Sequence, residues 1–351
     1  MSINFAKKNH SKITSCKKRT ARSVEQPQLF DLDAIPKDRK YTLKTFKFID
    51  LFAGIGGIRM ALEDNGGKCV FSSEWDKDAR KTYEANFLDT PDGDITKIYP
   101  ENIPDHDVLA AGFPCQPFSS IGQRAGFKHK TQGTLFYDVL RIINAKRPTS
   151  ILLENVKGLT THDKGNTFRV IRECLVESGY EIFFKILDAT DYGVPQKRER
   201  IYVVGFDKKK FKKKPDFYWP RKVDEHVGIG KFIEKNISNH SISSHLQKSY
   251  IYKHDDGRPQ IVSKKSDFPV KTLVSTYHKI QRLTGTFVSD GPTGLRLLTA
   301  NECKAIMGFP KSFKIPVSRT QMYRQLGNSV ALPVVRAIAR EILATIASDS
   351  A

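Results

Sequence analysis

Cysteine is scarce: five in 351 residues, Cys16, Cys69, Cys115, Cys174 and Cys303, with no CxxC pair among them. That scatter argues against a disulfide framework and against a zinc site, and it points to a reducing, cytoplasmic setting. Long apolar runs are missing too. None reaches the length of a membrane span, and the N-terminus lacks the apolar core of a signal peptide, so no membrane role is expected. Negative charge is in short supply, with 38 Asp plus Glu against 58 Lys plus Arg, a formal net charge of +20 at pH 7. Such an excess points to a polyanionic partner, nucleic acid before any membrane, because no membrane-binding amphipathic pattern accompanies it. The bland alternative is solubility alone. Lys7, Lys8, Lys12, Lys17, Lys18, Arg19 and Arg22 all precede the first acidic residue in a segment rich in Ser, Thr and Asn. Residues 1–45 therefore read as a basic, flexible extension.

No internal repeat is present, and the chain beyond residue 45 is strongly patterned. Apolar runs at 48–52, 69–72, 108–111, 150–153 and 201–205 read as strands. Helical spacing lies between them at 58–65, 78–86, 135–145 and 167–178. Strands alternating with helices predict an α/β fold with a doubly wound, mostly parallel sheet covered on both faces. This catalytic body spans 46–205. Lys208 to Lys210 and Lys212 to Lys214 then end the pattern. Residues 206–310 read as a smaller, loop-rich domain with a variable core at about 206–295. Residues 311–351 read as a segment returning to the first domain, with an amphipathic helix over Leu332 to Ile346.

Two stretches carry ligand-binding chemistry. Asp50-Leu51-Phe52-Ala53-Gly54-Ile55-Gly56-Gly57 follows a strand and opens a helix, and its glycines let the backbone approach a ligand closely. Glu74, at the tip of the next strand, can accept hydrogen bonds from both hydroxyls of a ribose. Asp94, in Gly93-Asp94-Ile95-Thr96, closes the third β-unit within reach of an adenine amino group. Alone, the glycine loop could be an ordinary tight turn and Glu74 a solvated strand end. Together they describe a nucleoside crevice. The order G-x-G-G departs from GxGxxG, which disfavours a nicotinamide cofactor.

Gly112-Phe113-Pro114-Cys115-Gln116-Pro117-Phe118-Ser119 follows the strand Val108 to Ala111. Two prolines fix φ on either side of Cys115, and a proline at 114 cannot continue a buried strand. A structural cysteine belongs inside an apolar run; this one is presented as a nucleophile at the strand's mouth. Glu154 follows the strand Ile151 to Leu153, so it shares the rim at which open α/β sheets bind ligands. Arg198 and Arg200, in Gln196-Lys197-Arg198-Glu199-Arg200, stand at the start of a strand, and nothing in the sequence explains how they would reach that rim. A Cys-Glu-Arg set suits attack on an electron-poor ring. The competing readings are a helix-capping acid for Glu154 and a surface charge for Arg198.

These stretches, with Gly133 to Phe136, Arg296 to Pro310 and Gln325-Leu326-Gly327-Asn328-Ser329-Val330, resemble a bacterial DNA (cytosine-5)-methyltransferase of the restriction-modification type. They occur in that family's order across 46–346, the variable region apart. The resemblance implies the S-adenosylmethionine-dependent methyltransferase fold and S-adenosyl-L-methionine as cofactor. It implies that Cys115 adds to C6 of a flipped cytosine, that Glu154 engages N3 and the exocyclic amine, and that Arg198 and Arg200 contact the base or its phosphate. Cofactor contacts are implied at Phe52, Ala53, Gly54, Gly56, Gly57, Glu74, Trp75, Asp94, Ile95, Pro114, Leu135, Asn328 and Ser329. An indole face at Trp75 can pack on adenine or shield a sulfonium.

The partner implied is double-stranded DNA, read by the region 206–295 in the major groove. The Lys271-Thr272-Leu273-Val274 stretch resembles the Thr-Leu core of such domains. Implied DNA contacts are Lys271, Thr272, Leu273, Ser275, Thr276, Tyr277 and His278, with Gln116, Ser119, Gln123 and Arg124 in a closing loop over Gln116 to Phe127. Many of these would only position the loop or touch phosphate. A monomer acting on a short, palindromic site and a cognate restriction endonuclease are further expectations from the family. An RNA cytosine methyltransferase, a catalytically inactive DNA-binding regulator on the same scaffold and a nicotinamide oxidoreductase stay open as alternatives.

Overall fold

The computed structural model describes residues 45–114 and 135–350. Cys115, Gln116, Ser119, Gln123 and Arg124 lie outside the described residues, as does the basic extension 1–44. In chain order the first body contains β1 (Phe46–Leu51), α1 (Gly57–Glu63), β2 (Gly67–Ser73), α2 (Lys77–Phe87), β3 (Val108–Ala111) and α3 (Leu135–Lys146). It continues with β4 (Ser150–Val156), α4 (Asn166–Glu177), β5 (Tyr180–Asp188) and β6 (Glu199–Asp207). The six strands form one sheet in the order β2-β1-β3-β4-β6-β5. β1 to β4 pair in parallel, whereas β6 runs antiparallel to both β4 and β5.

The period of two along each strand builds the two faces. Ile49 and Leu51, Leu109 and Ala111, Ile151 and Leu153, and Ile201 and Val203 pack with Val139, Ile142 and Ile143 of α3 and Ile171 and Leu175 of α4. Their neighbours Phe48, Val108 and Ala110, Leu152, and Tyr202 and Val204 point the other way, onto Ile58, Ala61 and Leu62 of α1 and the helix α8 (Leu332–Ser350). A strand buried on both faces carries no polar alternation, which is why these segments read as continuous apolar runs. Each Val, Leu, Ile or Phe side chain fully buried this way contributes about 1.5–3 kcal/mol.

A third apolar cluster forms the second body. It holds the one-turn helix α5 (Ser244–Leu246), β7 (Gln260–Val262), β8 (Thr286–Val288), α6 (Ala300–Met307) and α7 (Arg319–Asn328). β7 and β8 pair in parallel as a two-stranded ribbon. Both expected boundaries move. Phe211, Phe217, Trp219 and Val223 still pack against the sheet, so the chain does not leave the first core at Phe206. Met322, Tyr323 and Leu326 of α7 belong to the second cluster, so within 311–351 it is α8 that goes back. Among the described residues no helix is long and apolar enough to cross a membrane.

Candidate active site

One cleft of about 660 Å3 opens where the two bodies meet, at the C-terminal ends of β1 to β4. Its walls include Phe52, Ala53, Gly54, Gly57, Glu74, Trp75, Asp94, Ile95, Pro114, Leu135, Asn328 and Ser329, together with Glu154, Arg198 and Arg200. Residues scattered over nearly 280 positions of sequence thus share one space of the size typical for small-molecule sites.

The glycine loop sets the floor. Ala53 N donates to Ser73 O at 2.9 Å and Gly56 N to Ala53 O at 2.8 Å, closing the turn between β1 and α1. Phe52 stands at φ 56°, in the left-handed region, which costs a side-chain-bearing residue about 1–3 kcal/mol. Gly57 allows a close approach: a Cβ there would stand 2.9 Å from the Ser329 hydroxyl oxygen. Gly56 does not line the cleft, contrary to its place among the expected cofactor contacts. At φ 85° it turns its back on Phe87, whose ring would lie 2.2 Å from a Cβ.

Glu74 is buried, and its two carboxylate oxygens accept from Gly54 N and Asp76 N, both at 2.8 Å. Burial pushes the carboxyl up, and these backbone donors offset only part of that rise. The carboxylate is therefore pinned, with lone pairs left over for a ligand's hydroxyls. Next to it, the Trp75 side chain is 77% exposed, an indole with little protein cover at the cleft wall. Asp94 caps a short 3-10 helix through Thr96 N at 3.1 Å and the Thr96 hydroxyl at 2.8 Å. These features fit a nucleoside-bearing cofactor.

At the other end of the cleft, the antiparallel direction of β6 supplies what the sequence left unexplained. Its first residues lie beside the last residues of β4: Arg200 is opposite Val156 and Tyr202 opposite Glu154. Arg200 is thus a diagonal neighbour of Glu154 on the same face, and its Nε stands 3.3 Å from Glu154 Oε1. Burial pushes the Glu154 carboxyl up, while Arg200 and then Arg198 pull it down.

Arg198 is placed differently from the expectation of a base or phosphate contact. Its guanidinium is buried and donates to three main-chain carbonyls, Leu273 O at 3.2 Å, Gly327 O at 3.0 Å and Ser329 O at 2.5 Å. Burial, and the charge of Arg200 after it, lower its pKa to about 9. Two expected DNA contacts are also corrected. Leu273 and Tyr277 are buried in the second core, and the Tyr277 hydroxyl donates to Thr286 O at 2.5 Å. Neither side chain can meet a base edge. Lys271, Thr272, Ser275, Thr276 and His278 remain partly exposed on the same segment. Lys271 Nζ donates to Leu283 O and the Thr272 hydroxyl to Lys197 O.

Two contributors were missed in the sequence. Asn155 Nδ2 donates to Phe113 O at 2.9 Å, securing the exit from β3 two positions before Cys115. Gln196 accepts from Leu273 N at 2.7 Å and donates to Ile306 O at 2.8 Å, tying the two bodies together. Gln196 opens a motif already singled out and Asn155 directly follows Glu154, and an amide beside these charged residues is the signal that could have found them.

Residues 46–344 match the family described as C-5 cytosine-specific DNA methylase. The chain is 54% identical over 338 residues to Type II methyltransferase M.MspI of a Moraxella species, covering 96% of this chain and 78% of that protein. It is 58% identical over 298 residues to M.BsuFI of Bacillus subtilis, covering 83% and 71%. Among solved structures, a Spodoptera frugiperda DNMT2 superposes with a TM-score of 0.68 at 23% identity, over 83% of this chain and 97% of that one, and so shares the fold. The family match runs through both bodies and every wall of the cleft, and the chain accordingly belongs to the C-5 cytosine-specific DNA methylase family, as a DNA (cytosine-5)-methyltransferase.

Proposed function

We propose that this chain methylates C5 of a cytosine flipped out of a short, specific duplex DNA site, using S-adenosyl-L-methionine and a covalent bond from Cys115 to C6. The observation that carries this reading is the joining of a pinned ribose-type acceptor, Glu74, and a buried carboxyl-guanidinium pair, Glu154 and Arg200, in one cleft.

The target carbon lies inside a base stack, so the base must leave the duplex at a cost of a few kcal/mol. Glu154, its carboxyl pushed up by burial, holds a proton for the ring N3 or accepts from the exocyclic amine. The proton at N3 makes C6 more electrophilic, and the contact to the amine orients the ring. The Cys115 thiolate adds there, and the electron pair of the C5–C6 double bond becomes available at C5. S-adenosyl-L-methionine supplies an electrophilic methyl group on a sulfonium. Glu74 would hold its ribose, Asp94 and Ile95 its adenine, with Trp75 packed on the ring. Once C5 carries the methyl group, a base removes the C5 proton and the thiolate leaves, restoring the double bond.

The second body, with Lys271, Thr272, Ser275, Thr276 and His278 on one partly exposed segment, supplies the target-recognition surface in this reading. The closing loop Gln116 to Phe127, with Gln116, Ser119, Gln123 and Arg124, stays part of it as an expectation from the family. The relatives named Type II methyltransferases support a restriction-modification role; a cognate endonuclease, a monomeric state and a cytoplasmic location stay part of the reading as expectations from the family. Transfer of tritium from labelled cofactor tests the whole. Label in 5-methylcytosine of duplex DNA is the expected result. Label in tRNA and none in duplex DNA would move the activity to RNA, and no label in either would leave a DNA-binding regulator.

A further inference from the structure

The segment that carries the proposed DNA contacts is fastened to the cofactor end of the cleft at its middle residue, Leu273. Leu273, in the middle of Lys271 to His278, has both main-chain groups bound by side chains of one short stretch. Its N–H donates to Gln196 Oε1 at 2.7 Å, and its carbonyl accepts from Arg198 Nη1 at 3.2 Å. The other guanidinium nitrogen, Nη2, bonds Gly327 O and Ser329 O, on either side of Asn328. Ser329 in turn rests against Gly57, where a Cβ would stand 2.9 Å from its hydroxyl oxygen. A second contact runs parallel to the first. Gly327 lies directly under the Val274–Ser275 main chain, and a Cβ on it would stand 2.4 Å from Ser275 N. One path from recognition segment to glycine loop is therefore Leu273, Arg198, Ser329, Gly57, with Gly327 against Ser275 beside it.

Arg198 itself is 2% exposed, and three carbonyls occupy its two terminal nitrogens. Buried, charged donors have steep requirements for their acceptors, because a carbonyl that moves away leaves the charge unsolvated. The guanidinium cannot follow Leu273 O outward and keep Gly327 O and Ser329 O. A shift of the recognition segment must be passed to the Asn328–Ser329 turn or resisted by it.

We infer that Arg198 is a positioning residue that couples the seating of the Lys271–His278 segment on its DNA site to the geometry of the cofactor turn Asn328–Ser329, with Gly327 as the second contact of the coupling. The inference rests on the proposed function, since it takes that segment as the DNA reader and that turn as part of the cofactor seat. Coupling of this kind is reciprocal: the factor by which site DNA tightens the cofactor equals the factor by which the cofactor tightens site DNA.

The test is calorimetric titration of full-length protein with S-adenosylhomocysteine, which cannot be turned over. Each titration is done without DNA, with a duplex carrying the mapped site, and with that duplex scrambled. For the wild type, site DNA should lower Kd at least about fivefold and scrambled DNA should not. In Arg198→Lys, which keeps the charge but not the fork, the ratio of Kd without DNA to Kd with site DNA should fall to within about twofold of one. Gly327→Ala should do the same by pushing Ser275, and because it keeps the Arg198 side chain it answers separately if Arg198→Lys does not fold. A merely structural role would weaken binding equally in all three DNA states and keep the wild-type ratio, which would overturn the inference. A wild type with affinity for both ligands but a ratio of one would overturn it as well. A wild type that neither binds S-adenosylhomocysteine nor methylates DNA would instead sink the functional reading beneath it.

Discussion

Glu154 and Arg200 meet across the antiparallel pair β4–β6, Oε1 to Nε 3.3 Å, as diagonal neighbours on one face of the sheet. Burial raises the carboxyl and Arg200 is the largest influence holding it down. Arg200→Gln removes that influence, so the Glu154 pKa rises further. The limb of the kcat–pH profile that belongs to Glu154 should then move to higher pH; an unmoved limb would detach Glu154 from it. Glu154→Ala should lower single-turnover methyl transfer by about 10²- to 10⁴-fold, the usual contribution of a positioned acid.

Glu74 makes a prediction about binding rather than rate. Glu74→Ala removes the acceptor pinned by Gly54 and Asp76. Hydrogen bonds to a charged group are worth about 1.5–3 kcal/mol each, so cofactor affinity should fall at least about tenfold. Calorimetry with S-adenosylhomocysteine measures this, and an unchanged Kd would remove Glu74 from the cofactor seat.

Asp50 should govern part of the pH dependence of stability. It is buried at the end of β1, accepts only from Arg59 N among the described residues, and burial raises its pKa to about 8. The folded state therefore holds this proton where the unfolded chain has released it. The stabilisation it gives is complete below pH 4 and is lost as the pH climbs from about 4 to 8. Asp50→Asn, which resembles the protonated form, should flatten that fall and raise stability near pH 8 by about 1–3 kcal/mol. Thermal melts at pH 5 to 9 read it. Parallel profiles for the two proteins would contradict the assignment.

The recognition segment separates two kinds of residue. Lys271→Ala should weaken DNA binding, reduce the slope of log affinity against log salt by about one, and leave the melting temperature in place. Leu273→Ala should cost about 2–5 kcal/mol of stability, because the side chain fills the second core. A salt slope untouched by Lys271→Ala would move the DNA interface elsewhere.

Much of this was legible in the sequence, for physical reasons. Strands buried on both faces announce themselves as apolar runs, so β3 was readable to its ends and β1 to within two residues, whereas β4 runs three residues past its apolar run, through Glu154 to Val156. β5 was not, because its middle, Phe183 to Ile186, is half-buried to exposed at the sheet's edge and mixes Phe184, Lys185 and Ile186. The direction of β6 could not be read either, since strand pairing is a non-local choice. That one reversal decides whether Arg200 reaches Glu154. Burial within loops was equally hidden: Lys271 to His278 looked uniformly available, yet Leu273 and Tyr277 face inward. Arg198 and Arg200 are two residues apart in sequence, and only three-dimensional packing tells the fastener from the cation beside the acid.

In the proposed function, Cys115 is the nucleophile that attacks the flipped cytosine. A duplex carrying the mapped site with 5-fluorocytosine at the target has no C5 proton to lose, so the adduct cannot eliminate. Mass spectrometry of the digested complex, formed with S-adenosyl-L-methionine present, should find the methylated nucleotide on the peptide containing Cys115, and no complex with Cys115→Ser. An adduct on another residue, or methyl transfer by Cys115→Ser at the wild-type rate, would take the nucleophile's role from Cys115.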